Sequence, residues 1–281
     1  MKAPIAWLFI GAFIAVSATF LVAPTVMLAI QAFSDDDGWT FQYLLDLQQY
    51  RYWVAFQHSL QLSVASATVG VVAGALIAFA MLKSATPRWL NQAVTSFSAV
   101  AANFAGVPLA FAFVSTIGSL GLLTNLLKRA GIDLYGMGFS LFSITGLTVV
   151  YSYFQIPLMV IVITPAIQAL RPAWREAAEN LGASGGEYWR HVGLPVLAPS
   201  LLAGWILLFG SAFSAYATAY ALTSGNIGLV TTEIANVLSG NVASEPQIGA
   251  ALSVGMIVVM VAVLGLSTWL TKRASRWVKQ V

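Results

Sequence analysis

The 281-residue sequence contains no cysteine and little charge: Asp, Glu, Lys and Arg make up 8% of it. Without cysteine there is no disulfide framework, no thiol nucleophile and no thiolate metal site. A soluble globular domain carries about 25% charged residues. With 8% charged and 59% hydrophobic residues, the chain belongs with the membrane-helix proteins. Histidine is scarce too. His58 and His191 each lack a carboxylate or second histidine at metal-ligand spacing, so both are expected at a surface or interface. No Gly-x-x-x-x-Gly-Lys-Ser/Thr phosphate loop occurs, so the chain does not hold ATP in that way. Gly-x-Ser-x-Gly and His-Glu-x-x-His motifs are also missing. The basic residues are few and form no soluble domain, which speaks against nucleic acid as a partner.

What the chain has is long apolar runs. Spanning a bilayer takes about 20 residues. Runs of that order lie at 7–32, 59–82, 93–118, 141–169, 200–223 and 247–271. The first is too long for the apolar region of a signal peptide and is read as a retained span, kinked at Pro24. The fold class is therefore all-α and polytopic, with six transmembrane helices. Residues 1–58 form the first helix and its loop, residues 59–271 a core of five spans, and residues 272–281 a basic tail.

Between the first two runs, Asp35-Asp36-Asp37-Gly38 lacks the later carboxylates of a calcium loop and reads as a solvated turn. Trp39, Phe41, Tyr43, Tyr50, Tyr52 and Trp53 read as an interfacial belt with a short surface helix. In the second run Ser59, Ser63, Ser66, Gly70 and Gly74 recur every three or four residues. They line one helix face with small residues suited to close packing in lipid. The third run carries Asn103, Gly106 and Pro108, an amide and helix breakers that need a partner or water at membrane depth. The candidate lining of a solute pathway is Asn103, Tyr151, Tyr153, Gln155, Tyr216 and Tyr220.

Six spans put both termini on one side. With the termini inside, ten basic residues are cytoplasmic: Lys2, Lys83, Arg88, Arg171, Arg175, Arg190, Lys272, Arg273, Arg276 and Lys279. Three are outside: Arg51, Lys128 and Arg129. The positive-inside rule favours this orientation. On these spans no Asp or Glu lies deep in a membrane helix, which weighs against an ion-coupled carrier or channel acting alone. A membrane-embedded enzyme would need a clustered catalytic set at the interface, and none is visible.

The long polar loop at 171–199 carries the most specific spacing. Pro172 suits the first turn of a helix. Gly182 can take the left-handed position that ends it. Ser184 and Glu187 have the spacing of a capping box for a second short helix, which Gly193 and Pro195 are expected to stop.

Glu176, Ala177, Ala178, Gly182, Val192, Leu194 and Pro195 together resemble the EAA loop of bacterial ATP-binding-cassette (ABC) importer permeases, with Val192 where the pattern has Ile. The likeness extends over most of the chain. It implies a type I, MetI-like permease of the spermidine/putrescine-type group, in the bacterial inner membrane. On that resemblance the loop docks on a separate ATPase subunit, and the chain itself binds no cofactor. Two ATPase subunits bind ATP and its magnesium ion. A second permease chain, a paralogue or an identical copy, completes the pathway, and an extracytoplasmic binding protein delivers a small solute. Polyamine-like molecules, phosphonate, thiamine and iron are the solutes of that group. Its polyamine permeases often carry an acidic residue in the fifth span, where this chain has Ser214-Ala215-Tyr216-Ala217.

Overall fold

The computed structural model describes residues 3–35, 38–81, 86–239 and 246–275. Among these, six helical stretches are long and apolar enough to cross a membrane: Phe9–Ala32, Tyr50–Met81, Val107–Arg129, Ile144–Gln168, Gly185–Ser214 and Pro246–Lys272.

The chain opens with α1 (Ala3–Ser17) and α2 (Ala23–Ala32), joined without a break by a π turn at Ala18–Val22. Pro24 explains that turn. Proline has no N–H, and its ring collides with the carbonyl four residues earlier. A wider turn, in which the Ala23 N–H reaches Ala18 O, relieves the collision. Ser34–Asp35 (β1) and Gly38–Trp39 (β2) then pair antiparallel. Asp36 and Asp37 lie outside the described residues. The short helix α3 (Gln42–Asp46) follows.

Helix α4 runs from Tyr50 to Met81. It begins well before residue 59, where hydropathy alone starts the second span. The polar, aromatic stretch Tyr50–His58 is helical because Tyr52 and Ala55 turn into the protein. Its small-residue stripe is buried: Ser59, Ser63, Ser66, Gly70 and Gly74 all face inward. A Cβ on Gly70 would lie 2.5 Å from Leu208 Cδ2, and one on Gly74 would lie 2.6 Å from Met159 Cβ. Lipid provides no hydrophobic drive between helices, so close backbone packing of this kind is what joins them. Ser63 and Ser66 return their hydroxyls to carbonyls of their own helix.

The expected third span is broken. Helix α5 (Arg88–Ala101) ends, and α6 (Val107–Ile117) starts after Gly106, whose φ of 76° favours glycine. A second short helix, α7 (Leu122–Arg129), follows. Helix α8 (Ile144–Gln168) is long and tolerates Pro157 and Pro165 inside it. It packs against both α4 and α11 (Leu194–Ser214). Between them come α9 (Pro172–Asn180) and α10 (Gly185–Tyr188). The fifth run is broken in turn at Ala215, and α12 (Ala217–Thr223) continues it. Helix α13 (Val230–Leu238) and the long α14 (Pro246–Ser275) complete the chain. Helix α14 packs on α2 through Ala250, Ala251 and Val254 against Leu28 and Ala32.

The core lies where α4, α8 and α11 meet. Met159 is fully buried there. It fits because Gly74 and Gly204 leave room on either side; a Cβ on Gly204 would lie 2.6 Å from its sulfur. Gln155 ties the three helices together, donating from Nε2 to Ser66 Oγ and to Leu208 O, both at 3.2 Å.

Candidate functional site

Two places gather the residues that the sequence marks out. The first is the loop at α9–α10. Pro172 occupies the first turn of α9, where its missing N–H costs nothing. The helix ends in a Schellman motif: the Gly182 N–H donates to Glu179 O at 2.9 Å and the Ala183 N–H to Ala178 O at 3.0 Å. Gly182 has φ 83°, as that motif requires. A new helix starts at once. Ser184 Oγ accepts from the Glu187 N–H, and the Glu187 carboxylate accepts from the Ser184 N–H at 2.7 Å, completing the capping box.

Gly193 and Pro195 do not stop this second helix. A π turn at Trp189–Gly193 carries it straight into α11. The cause is again a proline. The widened turn precedes Pro195, and the Leu194 N–H reaches back to Trp189 O. Trp189 fixes the turn in place, edge-on to Phe79 of α4 at 4.8 Å between ring centroids. Gly193 packs flat on the same indole, since a Cβ there would lie 2.5 Å from its Cε3.

Helix α9, by contrast, has no buried residue. Glu176 and Ala177 are exposed and Ala178 half-buried. Arg175 pairs with Glu179 at 2.8 Å. The Glu179 carboxylate holds the pKa of Arg175 above its ordinary value. The Glu176 carboxylate makes no hydrogen bond or ion pair with another described residue. Trp174 lies under the Arg171 guanidinium, 6.0 Å from it, and Leu181 is 89% exposed. The result is a short exposed helix, closed at its C-terminus by the Schellman motif, with Trp174, Glu176 and an Arg175–Glu179 pair on its surface, followed by a second helix that is continuous with α11. Trp174 and Leu181 had no place in the motif. The amphipathic spacing of α9 is the signal that marks them.

The second place is the pair of helix breaks. The Gly106 N–H, at the α5–α6 break, donates to Thr218 Oγ1 of α12 at 2.7 Å. The Tyr151 hydroxyl donates to Ala215 O, at the α11–α12 break, at 3.0 Å. Each break thus has a backbone group satisfied by a side chain of another helix, as burial away from water demands. Thr218, one of several polar residues in the fifth run, carried no candidate role in the sequence; a threonine in an apolar run does not by itself point to a partner on another helix.

Around the breaks, the six residues marked for a pathway divide. Tyr151 and Gln155 are fully enclosed. Tyr153 is half-buried, edge-on to Phe104 at 6.3 Å and Phe113 at 5.7 Å. Asn103 is exposed in the turn after α5 and donates to Ala99 O of that helix. Tyr216 and Tyr220 are 37% and 39% exposed and stack on each other at 5.2 Å. The exposed members therefore present an amide, two phenol hydroxyls and a stacked aromatic pair on the surface of a single chain.

Residues 70–276 match the model of a protein family described as the binding-protein-dependent transport system inner membrane component. Among curated relatives, the chain is 26% identical over 159 residues to the molybdenum transport system permease protein ModB of Mycobacterium tuberculosis, covering 57% of this chain and 56% of that one. The chain thus spans little more than half the length of that relative. It is 23% identical to the spermidine/putrescine transport system permease protein PotC of Escherichia coli, over 90% of both chains. Among solved structures, a chain of a bacterial ABC transporter involved in the import of the acidic polysaccharide alginate superposes with a TM-score of 0.74 at 19% identity, covering 96% of this chain and 95% of that one.

Proposed function

The chain belongs to the family of binding-protein-dependent transport system inner membrane components, and from that membership we propose that it is the permease subunit of an ATP-driven importer of a small polar solute. It is a multi-pass inner-membrane protein with the MetI-like permease fold. The observation that carries the reading is helix α9. It has no buried residue, it is closed at its C-terminus by the Schellman motif at Gly182, and the next helix, α10, runs through the π turn into α11. Its Glu176, Ala177, Ala178 and Gly182 are the residues of the EAA pattern.

In this reading α9 docks on an ATPase subunit. The adjacent alanines let a partner backbone approach closely, and Glu176 offers an unpaired carboxylate to a basic residue of the partner. Val192, Leu194 and Pro195 form the connection that passes movement on to α11. The ATPase binds ATP and magnesium, and this chain supplies no catalytic group. The distribution of Lys and Arg supports an orientation with both termini and α9 in the cytoplasm.

The exposed polar groups at the helix breaks support a second permease chain. Asn103, Tyr216 and Tyr220 face away from the body of the protein. Unsatisfied amides and hydroxyls facing hydrocarbon would be costly. A second chain, paralogous or identical, covers them and turns them into one wall of a pathway. The tyrosine hydroxyls can bond an oxyanion and the ring faces can hold a cation. An extracytoplasmic binding protein hands the solute to this wall. Tyr151 and Gln155 serve packing in this state rather than solute contact.

The test is purification of the chain from gently solubilised native membranes, with the co-purifying subunits identified by mass spectrometry. Recovery with an ABC ATPase and a second permease is the expected result. Recovery of a lone homo-oligomer without an ATPase would overturn the reading in favour of a carrier or channel.

A further inference from the structure

The start of α4 holds the segment between α12 and α14 at several points. Arg51 donates from Nε to Glu233 Oε2 of α13 at 2.7 Å, and its Nη2 also pairs with that oxygen. The Glu233 side chain is only 6% exposed, while Arg51 remains 42% exposed. One turn on, Ala55 lies beneath Gly228, close enough that a Cβ there would be 3.9 Å away. His58 Nδ1 lies 3.2 Å from Gly228 O, and a carbonyl can only accept, so that nitrogen carries the proton. Ser59 Oγ accepts from the Val230 N–H at 2.9 Å. Arg51, Ala55, His58 and Ser59 fall on one helix face at steps of four, three and one. Gly228 is open for the carboxylate, since a Cβ there would lie 3.3 Å from Glu233 Oε1.

The clamped segment is joined to α12 by a stiff turn. Ser224 and Gly225 both have positive φ, 49° and 79°, and the Ser224 N–H donates to Tyr220 O at 2.8 Å. Helix α12 carries Tyr220, with Tyr216 at its N-terminal cap. We propose that Arg51, His58 and Ser59 are positioning residues for Tyr216 and Tyr220, acting through Glu233, Gly228 and Val230. The clamp fixes α13, α13 fixes the turn, and the turn sets the far end of α12. The near end is held by Thr218 on Gly106. A hydrogen bond between charged groups is about twice as strong as a neutral one, so the ion pair dominates the clamp and the neutral amide of Glu233→Gln weakens it.

This inference concerns contacts within the chain and does not depend on which solute or ATPase the complex takes. It is tested by hydrogen exchange, with mass-spectrometric readout, on the full complex in nanodiscs. Wild type is compared with Glu233→Gln and with the swapped pair Arg51→Glu/Glu233→Arg. In Glu233→Gln, amide exchange is expected to rise about tenfold both at 228–238 and at 216–223. The swap returns both toward wild type, while α8 is unchanged throughout. Faster exchange confined to 228–238 would overturn the proposal, because the clamp would then be a local tie that does not reach the tyrosines. So would wild-type exchange in both segments. Should Glu233→Gln fail to assemble, Ser59→Ala removes one uncharged point, with about threefold faster exchange expected in the same two segments.

Discussion

Gly182 offers the sharpest test of how the α9 surface is built. Its φ of 83° is demanded by the two Schellman hydrogen bonds to Glu179 O and Ala178 O. An L-residue forced into the left-handed region pays about 1–2 kcal/mol, and asparagine pays less because it visits that region readily. Nothing lies within 4 Å of the position a Cβ would take. Within this chain the cost is therefore torsional, with no collision added. A loss of about 1–2 kcal/mol corresponds to roughly 5–30-fold in the population holding the native turn. The series Gly182→Asn, Gly182→Ala and Gly182→Val should weaken retention of the ATPase subunit in that order, with alanine down by about 5–30-fold. The measurement is the amount of ATPase subunit that stays with the purified chain as the complex is diluted. Asparagine is larger than alanine, so crowding against a partner would reverse their order. Retention by Gly182→Ala equal to wild type, or Gly182→Asn below Gly182→Ala, would refute the torsional account.

Other predictions follow from single contacts. Glu176→Lys should abolish ATPase retention while leaving the chain in the membrane. Glu179→Gln, which breaks a solvent-exposed pair of the kind that contributes little, should leave retention within about twofold; equal effects of the two changes would contradict the assignment of Glu176. Tyr151→Phe removes the donor on Ala215 O and should destabilise the chain by about 1–3 kcal/mol, read as a lower midpoint of thermal unfolding in detergent micelles. Gly74→Ala places a methyl 2.6 Å from Met159 Cβ and 2.7 Å from Ile156 O. It should cost about 1–3 kcal/mol by overpacking in the same assay. Gly11→Ala, with nothing within 4 Å, should be neutral there.

The spans were legible because hydropathy is a property of each stretch by itself. Their ends and breaks were legible only where the cause was local. The capping box at Ser184 and Glu187 and the glycine stop at Gly182 are written in neighbouring residues, and the structure has both. Gly106 and Pro108 warned of trouble in the third run, and the break falls at them. The break at Ala215 had no such warning. Ser214-Ala215-Tyr216 contains neither glycine nor proline, and the freed carbonyl is taken by Tyr151 from a helix some sixty residues earlier in the chain. The start of α4 was hidden for a similar reason. Arg51 makes the stretch look like a loop until its partner Glu233 arrives from α13, 182 residues away.

Pro195 shows how a correct motif can carry a wrong local reading. As a helix stopper it would leave α10 as a separate piece, and a force on α9 would be lost in a flexible joint. The π turn at Trp189–Gly193 changes that. By widening before the proline it removes the clash without ending the helix, as the turn at Ala18–Val22 does ahead of Pro24. Trp189 then ties the turn to α4 through Phe79, and the bare face of Gly193 lies on the same ring. The proline thus forces a local widening of the helix just where it is anchored to a second span. If α9 docks as proposed, its displacement passes through the turn at Gly182 to α10, whose helix runs unbroken into α11, and reaches α4 through one aromatic contact. These two helices, with α8, form the packed core, and α11 leads directly to the Ala215 break and the tyrosines beyond it. The continuity of that path comes from the widened turn before the proline and the two rings, and in the proposed coupling the Leu194-Pro195 step would lie within the connecting helix rather than at its end.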